Sequence, residues 1–495
     1  MSNRLTPVDL PVEDYQLSTN SGSVEIQQTP TMTTDQVMQG IGMTEIDELN
    51  SESKLTQSNS EEKKGDEVKV DNSSIIIDTE EKKEDEDLEA HPSPNCFTRF
   101  FAPGSIRGAT FNLCSATLGA GALSLASACQ MTGWALGAIL LLIGAFVTVF
   151  TIDLMILARK ASHFDSYESL ALGLFGKIAL FFVNIGVLVF CLGTAIGYII
   201  AIRDIMDNVI GFGFLPDILN NKYLLTSLFW LILMLPLSLL RSMDNLRFSS
   251  FIGIITVTYL AIVSIILCIV NFSAEKFNSI PAFSFSSKVL NAIPIMLFAF
   301  SSQVNVYEIQ TELGNDKDKK MKPVARYGMT ISSLIYICMG VSGFLTYGND
   351  IKGNILLNFA STPEPYVIAG FFAITFTIIM AFPLNIFPAR FTLISMIWGT
   401  KAAEKKATTK GEIARHYIIS FLLSFCCLIV GSLVDDLSVV FNFIGGVAST
   451  LLCFAFPAIC CLYLKHKKLL RLSTFLTISC WLLLVFSVVV GSIQL

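Results

Sequence analysis

Asn112 to Ala128 reads NLCSATLGAGALSLASA, which puts Ser115, Thr117, Gly119, Gly121 and Ser124 into the middle of an otherwise apolar run. Glycine carries no side chain, so backbone can unwind there and a ligand can approach it closely. An unwound stretch offers N–H groups at the start of the following half-helix, where the helix dipole favours an anion. The polar, glycine-bearing centre is where the acidic group of a ligand would sit. A second stretch, NAIPIMLFAFSSQVNVYEIQTEL from Asn291 to Leu313, has Pro294 early, Ser301-Ser302-Gln303 at its middle, and Glu308 beyond. Gly-Ala-Gly alone is also what plain helix packing in membranes uses. Two interrupted segments together point instead to a binding site.

These segments belong to a chain of 495 residues, 53% hydrophobic and only 15% charged, the composition of a polytopic membrane protein. A helix needs about 20 mostly apolar residues to cross the hydrocarbon core. Eleven stretches qualify: 106–129, 133–158, 178–202, 223–240, 248–271, 289–311, 325–347, 365–389, 414–434, 437–463 and 473–493. With the N-terminus inside, the inner loops hold 20 Lys and Arg residues, from Arg159 to Arg471, against five in the outer segments. That asymmetry places the N-terminus in the cytosol and, for an odd count, the C-terminus outside or in a lumen. Five spans followed by five more, plus one, predict two halves of opposite orientation. The interrupted spans 1 and 6 then fall at corresponding places, which is the plan of several secondary transporters, with the ligand at mid-membrane.

At this point a resemblance enters. FNLCSATLGAGALSLASA, FAFSSQVNVYEIQTEL and AFPLNIFPAR (Ala381 to Arg390) resemble the amino acid/auxin permease family, and the QVNxxE form of span 6 looks most like its protozoan members. The likeness covers roughly residues 100–493. It implies an all-α body with the fold of the bacterial leucine transporter, about 11 transmembrane helices in a 5+5 inverted repeat with helices 1 and 6 broken, alternating access, and amino acids as substrates. It further implies that Thr117, Leu118, Gly119, Ala120 and Gly121 receive the substrate α-carboxylate. Phe300, Ser301, Ser302 and Gln303 would take the amino group and side chain. Sodium-coupled members carry asparagine where this chain has Ser115, and hydroxyl residues where it has Ile379 and Ala381. Sodium wants several oxygens, so protons rank above sodium as the coupling ion. Thr375 and Thr377 lie about a turn away as substitutes. Ser115, Glu308 and Thr377 are the coupling or selectivity candidates.

Ionisable groups inside a membrane are costly and mark function or pairing. Glu308 is read either as a proton acceptor or partner of a cationic side chain, or as one half of a salt bridge. Asp153 is expected to pair with Arg159 or Lys160. Arg203, Asp204 and Asp207 are read as interface residues at the outer end of span 3. None of the four histidines (His91, His163, His416, His466) lies deep in a span, so neither a buried histidine relay nor a membrane-embedded enzyme is expected. A channel would need a ring of like groups, which is not visible. The 12 cysteines lie almost entirely in apolar runs and read as small hydrophobes, without metal or cofactor. Residues 1–90 hold 22 Asp and Glu against 7 Lys and Arg. Residues 1–97 are therefore expected to form a disordered acidic cytosolic tail, and 98–495 the membrane domain. The expected partners are an amino acid, a proton or sodium ion and the bilayer, with no nucleic acid. Either the plasma membrane or an acidic organelle is compatible. The competing function is an amino-acid sensor of the same fold, or a facilitative uniporter.

Overall fold

The computed structural model describes residues 104–211, 220–240, 247–314, 316–359, 364–404 and 409–494. The acidic tail lies outside them. Among the described residues there are helices and connecting turns but no strand. Among the described residues, nine helices are long and apolar enough to cross a membrane. They are Trp134–Ser162 (span 2), Lys177–Asn208 (span 3), Ile252–Val270 (span 5), Val289–Glu312 (span 6) and Lys317–Asp350 (span 7). Pro365–Trp398, Lys410–Leu433, Leu437–His466 and Thr474–Gln494 follow as spans 8 to 11. Span 1 is the pair Ile106–Thr117 (1a) and Ala120–Thr132 (1b), bent by 49° at the break between them. Lys222–Ser238 is a shorter apolar helix in the fourth place.

All eleven expected stretches are thus helical, though several helices outrun their apolar cores. Span 7 begins at Lys317, eight residues before its hydrophobic stretch, and runs on through Pro323 inside the basic run. An amphipathic helix, Tyr167–Phe175, lies between spans 2 and 3 and was not foreseen; Ser166 and Ser169 close its first turn reciprocally.

The packing carries the symmetry that the sequence concealed. Span 1 packs on span 6, span 2 on span 7, span 3 on span 8, and span 4 on span 9. Other contacts come in matched pairs: 1 with 7 and 6 with 2; 3 with 9 and 8 with 4; 2 with 10 and 7 with 5; 1 with 5 and 6 with 10. Exchanging each span for the one five places on maps this set onto itself, as a 5+5 inverted repeat requires.

Helices in lipid gain little from hydrophobicity when they associate, so close approach of small residues does much of the holding. Two such approaches centre on span 6. A Cβ at Gly121 would lie 2.9 Å from Ala299 Cα, and one at Gly445 on span 10 would overlap the Pro294 carbonyl. Pro294 has no N–H to offer Leu290, four residues back; the Gln494 side chain reaches that carbonyl instead, at 3.5 Å.

Candidate substrate site

Both interruptions are built the same way. In span 1, helix 1a ends at Thr117, and Leu118 takes φ −74° and ψ 76°. The Gly119 N–H then donates back to the Thr117 carbonyl at 2.8 Å, an inverse γ-turn. A short 3₁₀ stretch, Ala120–Ser124, starts half-helix 1b. In span 6, helix 6a (Val289–Ala299) ends before Phe300, and the Ser302 N–H donates to the Phe300 carbonyl at 2.9 Å. A 3₁₀ turn, Gln303–Asn305, then leads into 6b, Val306–Glu312. Each break therefore spends an N–H on a three-residue turn and leaves the last carbonyls of the preceding half-helix facing inward.

Two tyrosines that no pattern in the sequence singles out fill the space beside these breaks. Tyr336 of span 7 is fully buried, and its hydroxyl lies 2.5 Å from the Thr117 carbonyl and 2.9 Å from the Ala299 carbonyl. The Gly119 N–H also faces that hydroxyl. Tyr198 of span 3 presents its hydroxyl to the Ala120 N–H and to the Cα face of Gly119. The Phe300 ring stands edge-on to Tyr336, 5.2 Å between centroids. The residues foreseen at the two breaks do converge, since 1b and 6a touch at Gly121 and Ala299.

Not all of their side chains are available to a ligand. The Thr117 hydroxyl donates to the Leu113 carbonyl and the Ser301 hydroxyl to the Leu297 carbonyl, each at 2.8 Å. Each hydroxyl is thus turned back onto its own helix, a common default for Ser and Thr in helices. Ser302 Oγ and Gln303 Oε1 are different: both are buried and have no hydrogen-bond partner among the described residues. The Gln303 amide nitrogen is held by Thr151 of span 2 at 3.0 Å. Cys453 of span 10 faces Ser301 and the Gln303 backbone. It belongs to an eleven-residue π-helical segment, Gly445–Ala455, whose wide turns accommodate the break opposite.

The coupling candidates are dispersed. Ser115 is half-buried on 1a. The Thr377 hydroxyl is engaged by Thr256 of span 5 and by the Ala373 carbonyl, each at 3.0 Å. Glu308 is exposed on 6b and lines a cavity of about 240 Å³ with Asp165, Glu168, Tyr167, Tyr307 and Thr311. The cavity begins beside Val304, next to the span-6 break, and lies between 6b and the helix that links spans 2 and 3. Among the described residues no ion pair holds the Glu308 carboxylate.

Two electrostatic expectations are corrected. Arg159 does not pair with Asp153. It binds Asp165 on the loop before the linking helix and Asp318 at the start of span 7, the latter at 2.9 Å. Asp318 also accepts from the Gln310 side chain at 2.6 Å, so the network ties 6b to spans 2 and 7. The cations facing Asp153 are Lys322 and Arg326. Arg203 and Asp204 are buried rather than interfacial, with 3% and 5% of their surface exposed. Arg203 donates to the carbonyls of Gly431, Val434 and Asp435, capping the end of span 9 where the helix dipole is negative. Asp204 accepts from Asn354 at 2.9 Å. Asn354 lies in the loop after span 7, which folds over 1b: the Ile355 N–H reaches the Leu123 carbonyl at 3.0 Å, and Gln130 reaches the Asn349 carbonyl at 2.8 Å. That end of the site is covered by packed loop, while the other end has the cavity.

Known proteins match this architecture. The sequence is 25% identical to the sodium-coupled neutral amino acid transporter 7 of Xenopus laevis, covering 78% of this chain and 86% of that protein. It is also 25% identical to the vacuolar amino acid transporter 5 of Schizosaccharomyces pombe, covering 72% and 84%. Among solved structures, a Na⁺-coupled sialic acid symporter aligns with a TM-score of 0.51 at 15% identity, over 81% of this chain and 92% of that one. The Eremococcus coleocola manganese transporter aligns with a TM-score of 0.50 at 11% identity, over 81% and 88%. At such identities the structural likeness establishes the fold alone, the leucine-transporter plan with broken helices 1 and 6. Residues 102–495 match the family described as transmembrane amino acid transporter protein, and the chain belongs to that family.

Proposed function

We propose that this chain is a secondary active transporter that moves amino acids across a membrane by alternating access, with a proton as the coupling ion. The observation that carries the proposal is the meeting of two identically built helix breaks at Gly121 and Ala299. An amino acid has an anionic and a cationic end, and the breaks offer partners for both. The Gly119 and Ala120 N–H groups at the start of 1b suit a carboxylate that displaces the Thr117 carbonyl and the Tyr198 hydroxyl from them. The Thr117 and Ala299 carbonyls, at the negative ends of 1a and 6a, suit the ammonium group. Phe300, Ser302 and Gln303 face the substrate side chain, and the two unpartnered oxygens of Ser302 and Gln303 favour polar contacts there.

The cavity beside Glu308 is the cytosolic route from the site, and the loop over 1b closes the outer or luminal side. Ser115, where the family resemblance implies an asparagine for sodium coupling, and Thr377, bonded to span 5, favour protons over sodium in this reading. The acidic tail, residues 1–97, is cytosolic and dispensable for transport. Relatives named vacuolar fit an acidic organelle as the location; the plasma membrane fits equally.

The test is uptake by purified protein in liposomes, with a panel of labelled amino acids under an inward proton gradient, an inward sodium gradient, or neither. Saturable uptake boosted by the proton gradient alone is the expected result. Boosting by sodium alone refutes the coupling ion, and stimulation by neither gradient refutes secondary active transport. Binding without uptake refutes the carrier and supports a sensor.

A further inference from the structure

Resting on the carrier reading, we infer that Tyr336 is a positioning residue whose hydroxyl hydrogen stands in for a cation between the Thr117 and Ala299 carbonyls and yields those carbonyls to a cationic group. Half-helices 1a and 6a both end at this point, and each brings the negative end of its dipole; among the described residues the Thr117 carbonyl takes up only the Gly119 N–H of the turn, and the Ala299 carbonyl takes up no turn or loop N–H. Two such ends repel unless something positive lies between them. In this structure the positive group is a phenol hydrogen. Its oxygen is 2.5 Å from one carbonyl and 2.9 Å from the other, and the tyrosine is sealed from solvent.

A hydroxyl has one hydrogen, so it satisfies one carbonyl at a time or both weakly. A charged group with several donors, or a bare cation, would satisfy both. The Gly119 N–H facing the same hydroxyl links the cation end of the site to the backbone proposed for the carboxylate. Tyr336 thereby ties the two breaks to each other through their carbonyls. The cation has two chemical sources, the substrate ammonium group and a monovalent metal ion.

The experiment compares full-length wild type with Tyr336→Phe, which removes only the oxygen. Melting temperature is read in choline chloride, in sodium chloride, and in choline chloride with saturating L-leucine, L-glutamine or L-arginine. Without amino acid and in choline, Tyr336→Phe is expected to melt about 2–4 °C lower than wild type. A cationic group then closes that gap. Closure by an amino acid in choline identifies the ammonium group; closure by sodium alone identifies the metal ion. A gap that stays the same in every condition marks ordinary packing and overturns the inference, as does no gap at all. Should Tyr336→Phe not be recoverable folded, it is purified again with the amino acids present throughout. Recovery only with ligand supports the inference, and recovery in neither condition overturns it. Liposome uptake by wild type keeps the two proposals apart. Uptake with an unclosed gap sinks the role of Tyr336 alone, whereas closure by sodium without any amino acid uptake sinks the carrier reading alone.

Discussion

Gly121 is the position where a single added carbon tests the site most directly. A Cβ there would stand 2.9 Å from Ala299 Cα, 3.2 Å from Ala299 Cβ and 3.4 Å from its nitrogen. Two of these atoms are backbone of a half-helix held by Tyr336 on one side and Gly445 on the other, so no side chain can swing away. Overpacking of this kind costs roughly 1–3 kcal/mol, equivalent to a shift of about 5- to 150-fold between two states. Gly121→Ala is therefore expected to reduce uptake in liposomes by a factor in that range, because the cost falls on the arrangement in which the two breaks touch. Gly121→Leu is expected to abolish uptake while leaving the protein inserted and folded, as checked by monodisperse elution and a melting transition. A second substitution sharpens the reasoning: Ala299→Gly removes the 3.2 Å contact but leaves the 2.9 Å one, so it restores Gly121→Ala only in part. Wild-type uptake by Gly121→Leu would refute the placement of the substrate at the span-1 break.

Three further outcomes are expected. Glu308→Gln lowers the ratio of cationic to neutral amino acid uptake, by no more than about fivefold because an exposed charge contributes only about 0.2–1 kcal/mol; an unchanged ratio makes Glu308 irrelevant to selectivity. Arg203→Met strips the end of span 9 of its cap and removes the guanidinium that lies 3.4 Å from the Asp204 carboxylate, leaving that buried charge with the Asn354 amide alone, a loss of about 3–5 kcal/mol. It should lower the melting temperature markedly, and Arg203→Met combined with Asp204→Asn should recover part of the loss; a double variant no better than the single one contradicts the pairing. Deletion of residues 1–90 leaves uptake intact in liposomes, and its loss would assign the tail a role in transport.

The sequence made the number and order of spans legible because membrane helices leave a run of apolar residues that little else produces. The two breaks were legible for the same reason in reverse: Gly119, Gly121 and the Ser301-Ser302 pair interrupt such runs. The inverted repeat was not legible at the level of residues. Packing symmetry needs only matching helix positions, and the halves share no motif beyond a turn built from Thr117-Leu118-Gly119 in one and Phe300-Ser301-Ser302 in the other. Long-range polar pairs were also hidden. Proximity in sequence suggested Asp153 with Arg159, but six residues along a helix point to different faces, and Arg159 found Asp318 across 159 positions instead.

The same distinction separates site residues whose hydroxyls are already engaged from those whose oxygens are not. Counting polar residues along an apolar segment treats every hydroxyl as a potential ligand, yet a threonine or serine in a helix has a carbonyl four residues back within easy reach. Thr117 and Ser301 take that option. Ser302 and Gln303 lie further past the end of 6a, and their oxygens stay unpaired in the interior. A buried oxygen without a partner costs about 1–3 kcal/mol, which folding offsets elsewhere and which a bound donor would recover. The groups proposed for recognition are created by the interruptions rather than by the polarity of the residues that cause them: the Gly119 and Ala120 N–H groups, the Thr117 and Ala299 carbonyls now bridged by Tyr336, and the two unpartnered side-chain oxygens.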